Sequence, residues 1–161
     1  MDAVAAAADG RCAVNIEIAS VSVVIQTRLI VEGISLHIQP GQIVGLIGPN
    51  GSGKSTLLRT VYRMLKPAAG YVRLGGDDVW KLTARESARR TGVVVQEMPS
   101  DFQFTVREVV QMGRTPHKDA LSLDTTADAA LIQSALERVE MSGFDDRLFA
   151  TLSTAVRNSA F

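Results

Sequence analysis

The residues with the clearest chemical potential are consecutive: Gly48, Pro49, Asn50, Gly51, Ser52, Gly53, Lys54, Ser55 and Thr56. They fit the phosphate-binding loop pattern G-x-x-x-x-G-K-[ST] at every fixed position. A triphosphate packs several negative charges close together. Three glycines let the backbone curl so that successive N–H groups turn inward as an anion nest. A helix starting near Ser55 adds its unpaired N–H groups and the positive end of its dipole. Lys54 is placed to reach the β- and γ-phosphates as a mobile point charge, and the Ser55 hydroxyl to ligate Mg²⁺. A glycine-rich turn before an ordinary helix rarely supplies Gly-Lys-Ser at this offset.

The flanking elements suit the loop. Ile43–Ile47 is a short apolar run that reads as a buried strand. Thr56–Leu65 has apolar residues at 57, 58, 61, 62 and 65, a helical stripe. Upstream, Val14–Ile18, Ser20–Ile25 and Ile34–Ile38 read as strands punctuated by Gly33 and Pro40-Gly41. Downstream, Tyr71–Leu74 is a strand, Thr83-Ala84-Arg85-Glu86 a capping box opening a short helix, and Val93-Val94-Val95 a β-branched strand followed by Gln96. Beyond Gln96 the character changes. An irregular loop carries Phe102 and Phe104. Thr105-Val106-Arg107-Glu108 opens a helix through about Met112, and Asp124–Met141 reads as a longer helix striped by Leu131, Ala135, Leu136 and Val139.

The 161 residues suffice for one domain with a real core, and 46% apolar content is ordinary for a globular chain. The 17 basic residues balance 17 acidic ones, so bulk electrostatics point away from nucleic acid. Cys12 is alone, which excludes a disulfide framework and favours a reducing compartment. No apolar run approaches membrane-spanning length. The alanine-rich, acidic start lacks the layout of a signal peptide and reads as a frayed tail. The expected protein is cytosolic, reaching a membrane only through a partner.

With these motifs in place the chain resembles the front part of an ABC-type ATPase subunit, the ATP-hydrolysing part of a membrane transporter. Gly48–Thr56 is similar to the family's Walker A loop, including its Pro-Asn-Gly-Ser-Gly interior, and Val93-Val94-Val95-Gln96-Glu97 to its Q-loop. The resemblance implies that Lys54 and Gln96 serve catalysis, that Ser55 and Gln96 contact Mg²⁺, and that ATP is the cofactor. It implies a transmembrane permease docked on the Gln96–Phe104 region and a second ATPase subunit in a head-to-tail dimer, on the inner face of the cell membrane. Thr105–His117 resembles the helical-domain opening of subunits that import iron–siderophore complexes, haem or cobalamin. Where many members stack an aromatic on adenine, this chain has Ile25. That forgoes a stacking contribution of roughly 1–3 kcal/mol per base, and strand packing explains Ile25 equally well. Gln96 also reads as a polar strand-end residue, His117 as a turn residue after Pro116, and Phe102 and Phe104 as core of the helical part.

The family signature Leu-Ser-Gly-Gly-Gln/Glu is met only by Leu152-Ser153, before Thr154–Phe161 departs from it. Codons permitted for Thr154–Phe161, read from the third base of the Thr154 codon, spell Gly-Gly-Glu-(Lys or Glu)-Gln-Arg-Val, the way members continue. A frameshift, in the gene or its sequencing, accounts for this. The resemblance then implies that the Walker B carboxylates and switch histidine are missing, that the chain as written is an inactive fragment, and that its sheet exposes edges and apolar faces. The expected fold is an α/β phosphate-loop NTPase core with a helical insertion, the C-terminal part of the core missing. Its parts are a disordered tail (1–13), nucleotide-binding core (14–97), helical subdomain (98–153) and frameshifted tail (154–161). The alternatives are a non-transport ABC ATPase or another phosphate-loop NTPase. The guanine-reading Asn-Lys-x-Asp motif is absent.

Overall fold

The computed structural model describes residues 2–7, 14–94, 103–118 and 125–152, with side chains from residue 14 onward. The chain divides into two compact units, Met1–Thr91 and Gly92–Phe161. The division falls six residues ahead of the 97/98 boundary expected from sequence.

The first unit is built on two antiparallel sheets. Strands β2 (Ile16–Ile25), β3 (Arg28–Ile38), β5 (Ala69–Leu74) and β6 (Asp77–Asp78) form one sheet in the order β3-β2-β5-β6. The second sheet pairs β1 (Asp2–Ala7) with β4 (Gln42–Ile47), in register from Asp2 opposite Ile47 to Ala7 opposite Gln42. This corrects the frayed-tail expectation for Asp2–Ala7. An unpaired strand edge is a row of free N–H and C=O groups, and an alanine-rich segment can complete that ladder despite its weak strand propensity.

The two strands expected at 14–18 and 20–25 are one. Ser20 takes a positive φ of 47°, and the β2–β3 register shifts between Ile18 and Val21. The irregularity moves the inward face from even to odd positions, so Ile18, Val21 and Val23 all reach the core. Gly70, opposite this irregularity on β5, has φ +77°, and a Cβ there would drive into the carbonyl oxygens of Ala19 and Ser20. Only glycine lets β5 approach so closely.

Helix α1 (Lys54–Val61) packs against β2, β3 and β5. Leu57 and Val61 join Ile18, Val21, Val23, Val31, Val72, Leu74 and Val79 in one core. Leu58, on the stripe read from sequence, is 47% exposed, and Thr60 is buried instead. Its hydroxyl donates to the Leu57 carbonyl at 2.7 Å, which satisfies a polar group in the core. The helix also stops short of Leu65, because Arg63 turns left-handed at φ 62°. Helix α2 (Ala84–Arg90) opens on the expected capping box. The Glu86 amide donates to the Thr83 hydroxyl, and the Thr83 amide to the Glu86 carboxylate, which lies below its usual pKa as a result.

Two expectations about strands are overturned. Val93 and Val94 lie outside any sheet and are exposed, while Val95 falls outside the described residues. Among the described residues no strand pairs with them, and β propensity without a partner strand does not make a strand. Nor is β4 buried on both faces. Leu46 packs on the core, but Ile43 and Ile47 on the opposite face are 62% and 59% exposed, consistent with the expected exposure of apolar sheet faces.

The second unit is helical. Helix α3 (Val106–Met112) opens on the Thr105–Glu108 capping box, and a 3₁₀ turn (Thr115–His117) follows, with His117 exposed. Helix α4 (Thr126–Arg138) opens on a third capping box, between Thr125 and Asp128, which sequence reading missed because aspartate replaces the usual Glu or Gln. Asp128 also accepts from Arg114 Nε at 3.0 Å. The core gathers Val106, Val109, Ile132, Leu136, Met141, Phe149 and Leu152. Leu131 is exposed and Ile132 faces inward, so the α4 stripe is rotated from the expected one.

Candidate functional site

The phosphate-loop residues sit between the end of β4 at Ile47 and the start of α1 at Lys54. Gly51 and Gly53 both adopt left-handed backbone, with φ of 83° and 87°. L-residues rarely take this conformation, and alternation of hand is what turns successive N–H groups to one side. The Ser52 amide donates to the Pro49 carbonyl at 3.2 Å and closes the turn.

Gly53 has a second reason to lack a side chain. A Cβ there would lie 2.8 Å from Val31 Cγ2 and 2.9 Å from the Ile30 carbonyl oxygen. The loop therefore rests on β3, and the β2–β3 hairpin seats it. That seat had no motif to reveal it in sequence; the apolar run Leu29-Ile30-Val31 was its only trace. Gly48 is constrained from within, since its Cβ would come 2.9 Å from the Ser52 hydroxyl oxygen.

The Lys54 side chain folds back over the loop. Its ammonium donates to the Gly48 carbonyl at 2.7 Å and to the Pro49 carbonyl at 2.8 Å. Lys54 is the first residue of α1, and Gly53 is the N-cap without a side-chain capping bond. The N–H groups of Lys54, Ser55 and Thr56 thus have no partner within the helix, and the first turn contains no acidic residue to oppose an anion. Ser55 is exposed, its hydroxyl one residue from the ammonium. The loop offers the main-chain donors of an uncapped helix start and one ammonium, donors of the kind a phosphate chain takes.

Ile25 ends β2 opposite Arg28, at the tip of the hairpin whose β3 strand seats Gly53. It is 40% exposed, and the neighbouring cross-strand pair Val24 and Leu29 is exposed on the other face of the hairpin. Gln96 and Phe102 lie outside the described residues. Phe104 is described: it is exposed and lines a hollow of about 270 Å³ with Glu108, Gln111, Met112, Thr115 and Lys118. Glu108 is lowered in pKa, first by the Thr105 amide and then by the Thr105 hydroxyl.

Comparison with known proteins agrees with this geometry. The ABC transporter family model matches residues 31–159, extending into the segment read above as frameshifted. The chain is 37% identical over 143 residues to the cobalamin import ATP-binding protein of Halobacterium salinarum, covering 89% of this chain and 35% of that one. It is 36% identical over 138 residues to the hemin import ATP-binding protein of Rhizobium meliloti, covering 86% and 51%. Against the ferric enterobactin transport ATP-binding protein of Escherichia coli it is 34% identical over 132 residues, covering 82% and 49%. The chain thus spans about half or less of the length of these curated relatives. Among solved structures, a putative metal-chelate type ABC transporter in an inward-facing conformation superposes with a TM-score of 0.69 at 21% identity, over 91% of this chain and 54% of that one. An ATP-binding cassette of an ABC transporter in its ADP conformation gives a TM-score of 0.67 at 21% identity, over 91% and 65%. These likenesses fix the α/β fold as that of ABC ATPase cassettes. With its loop, its seat on β3 and this match over most of its length, the chain belongs to the ABC transporter family.

Proposed function

We propose that this chain is the nucleotide-binding part of an ABC importer's ATP-binding subunit, and that Gly48–Thr56 holds Mg·ATP. The observation that carries the reading is the cradle itself: two left-handed glycines, an uncapped helix start and a lysine that already spans the loop. In this reading Gly48, Pro49, Asn50, Gly51, Ser52 and Gly53 wrap the phosphates with main-chain N–H groups, except at Pro49, which has none. Lys54 exchanges its two carbonyl partners for β- and γ-phosphate oxygens. That exchange trades neutral acceptors for charged ones, the stronger kind of hydrogen bond. Ser55 and Gln96 are the residues that would hold Mg²⁺, and Thr56 follows Ser55 in the first turn of α1. The metal would supply positive charge against the negative charge of the phosphates.

Ile25 would carry the base by apolar contact. Its side chain presents no hydrogen-bonding group, so discrimination between ATP and GTP would be weak. In the second unit, the Gln96–Phe104 region and the hollow beside Phe104 and Met112 are proposed to receive a permease subunit. A second ATPase subunit would complete the catalytic site, as hydrolysis in this reading needs γ-phosphate stabilisation from outside the loop. No helix among the described residues is long and apolar enough to cross a membrane. Attachment to the cytoplasmic face of the membrane would thus run through the permease. The relatives' names motivate the substrate class of cobalamin, haem or ferric siderophore.

The test is equilibrium dialysis with Mg·ATP. The chain should bind it, and Lys54→Ala should abolish most of that binding. Equal affinity in both proteins overturns the assignment of the loop. Co-purification of the intact subunit with a metal-chelate permease tests the transport part.

A further inference from the structure

Helix α1 ends on an arginine where glycine is the default. Its C-cap is Tyr62, and Arg63 beyond it takes a left-handed φ of 62°. The amides of Met64 and Leu65 both donate to the Arg59 carbonyl, at 2.9 and 3.0 Å, which closes the turn. Glycine usually holds the left-handed position of such a turn, because a side chain there is strained. Here the strain accompanies a contact. The Arg63 guanidinium lies over the Trp80 ring, 5.4 Å from its centre, and the Lys66 ammonium lies over the same ring at 6.0 Å. The attraction of cations for an indole face gathers both charges at one place.

The gathered charge is not neutralised. No acidic residue occurs between Glu32 and Asp77 in sequence. Arg73 and Arg90 of the same unit pair with Glu17 and Asp77. Among the described residues, Arg59, Arg63, Lys66 and Lys81 have no carboxylate within ion-pair distance. Arg59, Lys66 and Lys81 are exposed, and Trp80 is half-buried. Met64, between Arg63 and Lys66, is 71% exposed, more than any other large apolar side chain among the described residues.

We propose that this end of α1, together with Trp80, is a contact surface for anionic phospholipid headgroups. The location at a membrane rests on the importer reading above, and the surface adds direct lipid contact to attachment through a permease. Four cations around an exposed thioether and an indole suit the boundary of an anionic bilayer, where phosphate groups meet the first acyl carbons. Tryptophan is favoured at that depth because its body is apolar and its N–H polar. Nucleic acid is served less well. Arg63 and Lys66 lie over the ring surface on which a base would stack, and an exposed methionine gains nothing from a phosphate backbone.

Trp80 is the only tryptophan of the chain, so its emission reports on this surface alone. The full chain is mixed with vesicles of phosphatidylcholine, and of phosphatidylcholine with phosphatidylglycerol. Partition is read by co-sedimentation and by Trp80 emission. The chain should bind the phosphatidylglycerol vesicles with a blue shift of that emission, bind the neutral ones little, and be released as salt rises. Lys66→Ser should weaken partition about fivefold, the worth of one cation near an anionic surface. Met64→Ser should weaken it at unchanged charge. Arg138→Ser, which removes an exposed cation of α4 in the other unit, should bind as wild type does. Equal binding to both kinds of vesicle, or binding to neither, overturns the proposal. So does an equal loss in Lys66→Ser and Arg138→Ser, which marks diffuse attraction to the whole chain, and so does a Met64→Ser chain that partitions as wild type. A single-stranded oligonucleotide that binds more tightly than the phosphatidylglycerol vesicles, with the same dependence on Lys66, assigns the surface to nucleic acid and overturns it as well. Dialysis with Mg·ATP separates this inference from the nucleotide site. Vesicle binding that fails while Lys54-dependent Mg·ATP binding persists overturns the lipid surface alone.

Discussion

The Lys54 ammonium lies 2.7 Å from the Gly48 carbonyl oxygen, joining the first residue of helix α1 to the first residue of the loop before it. Six positions of sequence separate them, and the side chain bridges the curl from above. The loop is thereby held closed by the same charge that is proposed to bind its ligand. The Pro49 carbonyl, at 2.8 Å, shares the load.

Replacing this lysine separates charge from geometry. Lys54→Gln keeps a donor but removes the charge. Since a hydrogen bond to a charged group contributes about 1.5–3 kcal/mol, Mg·ATP affinity should drop by roughly 10- to 100-fold. Lys54→Arg keeps the charge but brings a planar fork that does not reproduce a point charge above two adjacent carbonyls, and should also bind weakly. Isothermal titration of the three proteins checks this, with circular dichroism confirming that the folds match.

Gly53→Ala should damage both stability and binding. The new methyl meets Ile30 backbone at 2.9 Å and Val31 at 2.8 Å, at a φ of 87° that L-residues rarely adopt. Strain of this kind costs about 1–3 kcal/mol. Gly51→Ala is the informative comparison, because its Cβ meets nothing within 4 Å although φ is 83°. It should lose less stability in urea denaturation than Gly53→Ala.

The second unit should lose stability in acid through Asp128. Hydrogen bonds from the Thr125 hydroxyl, then from Arg114, then from the Thr125 amide hold its carboxyl at about 2, against an ordinary value of 3.8. The folded state therefore favours the ionised form. That stabilisation is complete above pH 4 and is lost as pH falls from about 4 through about 2. Glu108, lowered by Thr105, adds in the same direction. Thermal melts between pH 5 and pH 2 should slope less steeply for Asp128→Asn than for wild type.

The register of α4 predicts opposite outcomes at adjacent residues. Leu131 is exposed and Ile132 is buried. Leu131→Ser should change stability by no more than about 0.5 kcal/mol, while Ile132→Ala should cost about 2–5 kcal/mol. Chemical denaturation of the two variants decides between this register and the Leu131-facing one.

The phosphate loop was legible in sequence because its requirements are local. Glycine where φ is positive, lysine and serine at fixed offsets, and a helix that begins at once are all properties of nine adjacent residues. The capping boxes at Thr83 and Thr105 were legible for the same reason, each a bond across three residues. Periodicity alone gave the existence of α1 and α4 but not their buried faces. A stripe one residue to either side satisfies the same 3.6-residue repeat, and only packing against the sheet or against α3 chooses Thr60 over Leu58 and Ile132 over Leu131. Strand identity was decided still further away. Val93 and Val94 have the composition of a strand but no described partner, whereas Asp2–Ala7 has poor strand composition and a partner in β4. A strand is made by the hydrogen bonds of its neighbour, and those neighbours lie tens of residues distant in sequence. The seat of Gly53 on Ile30 and Val31 is of that kind too: a contact set by how the chain closes on itself, which no local pattern of residues records.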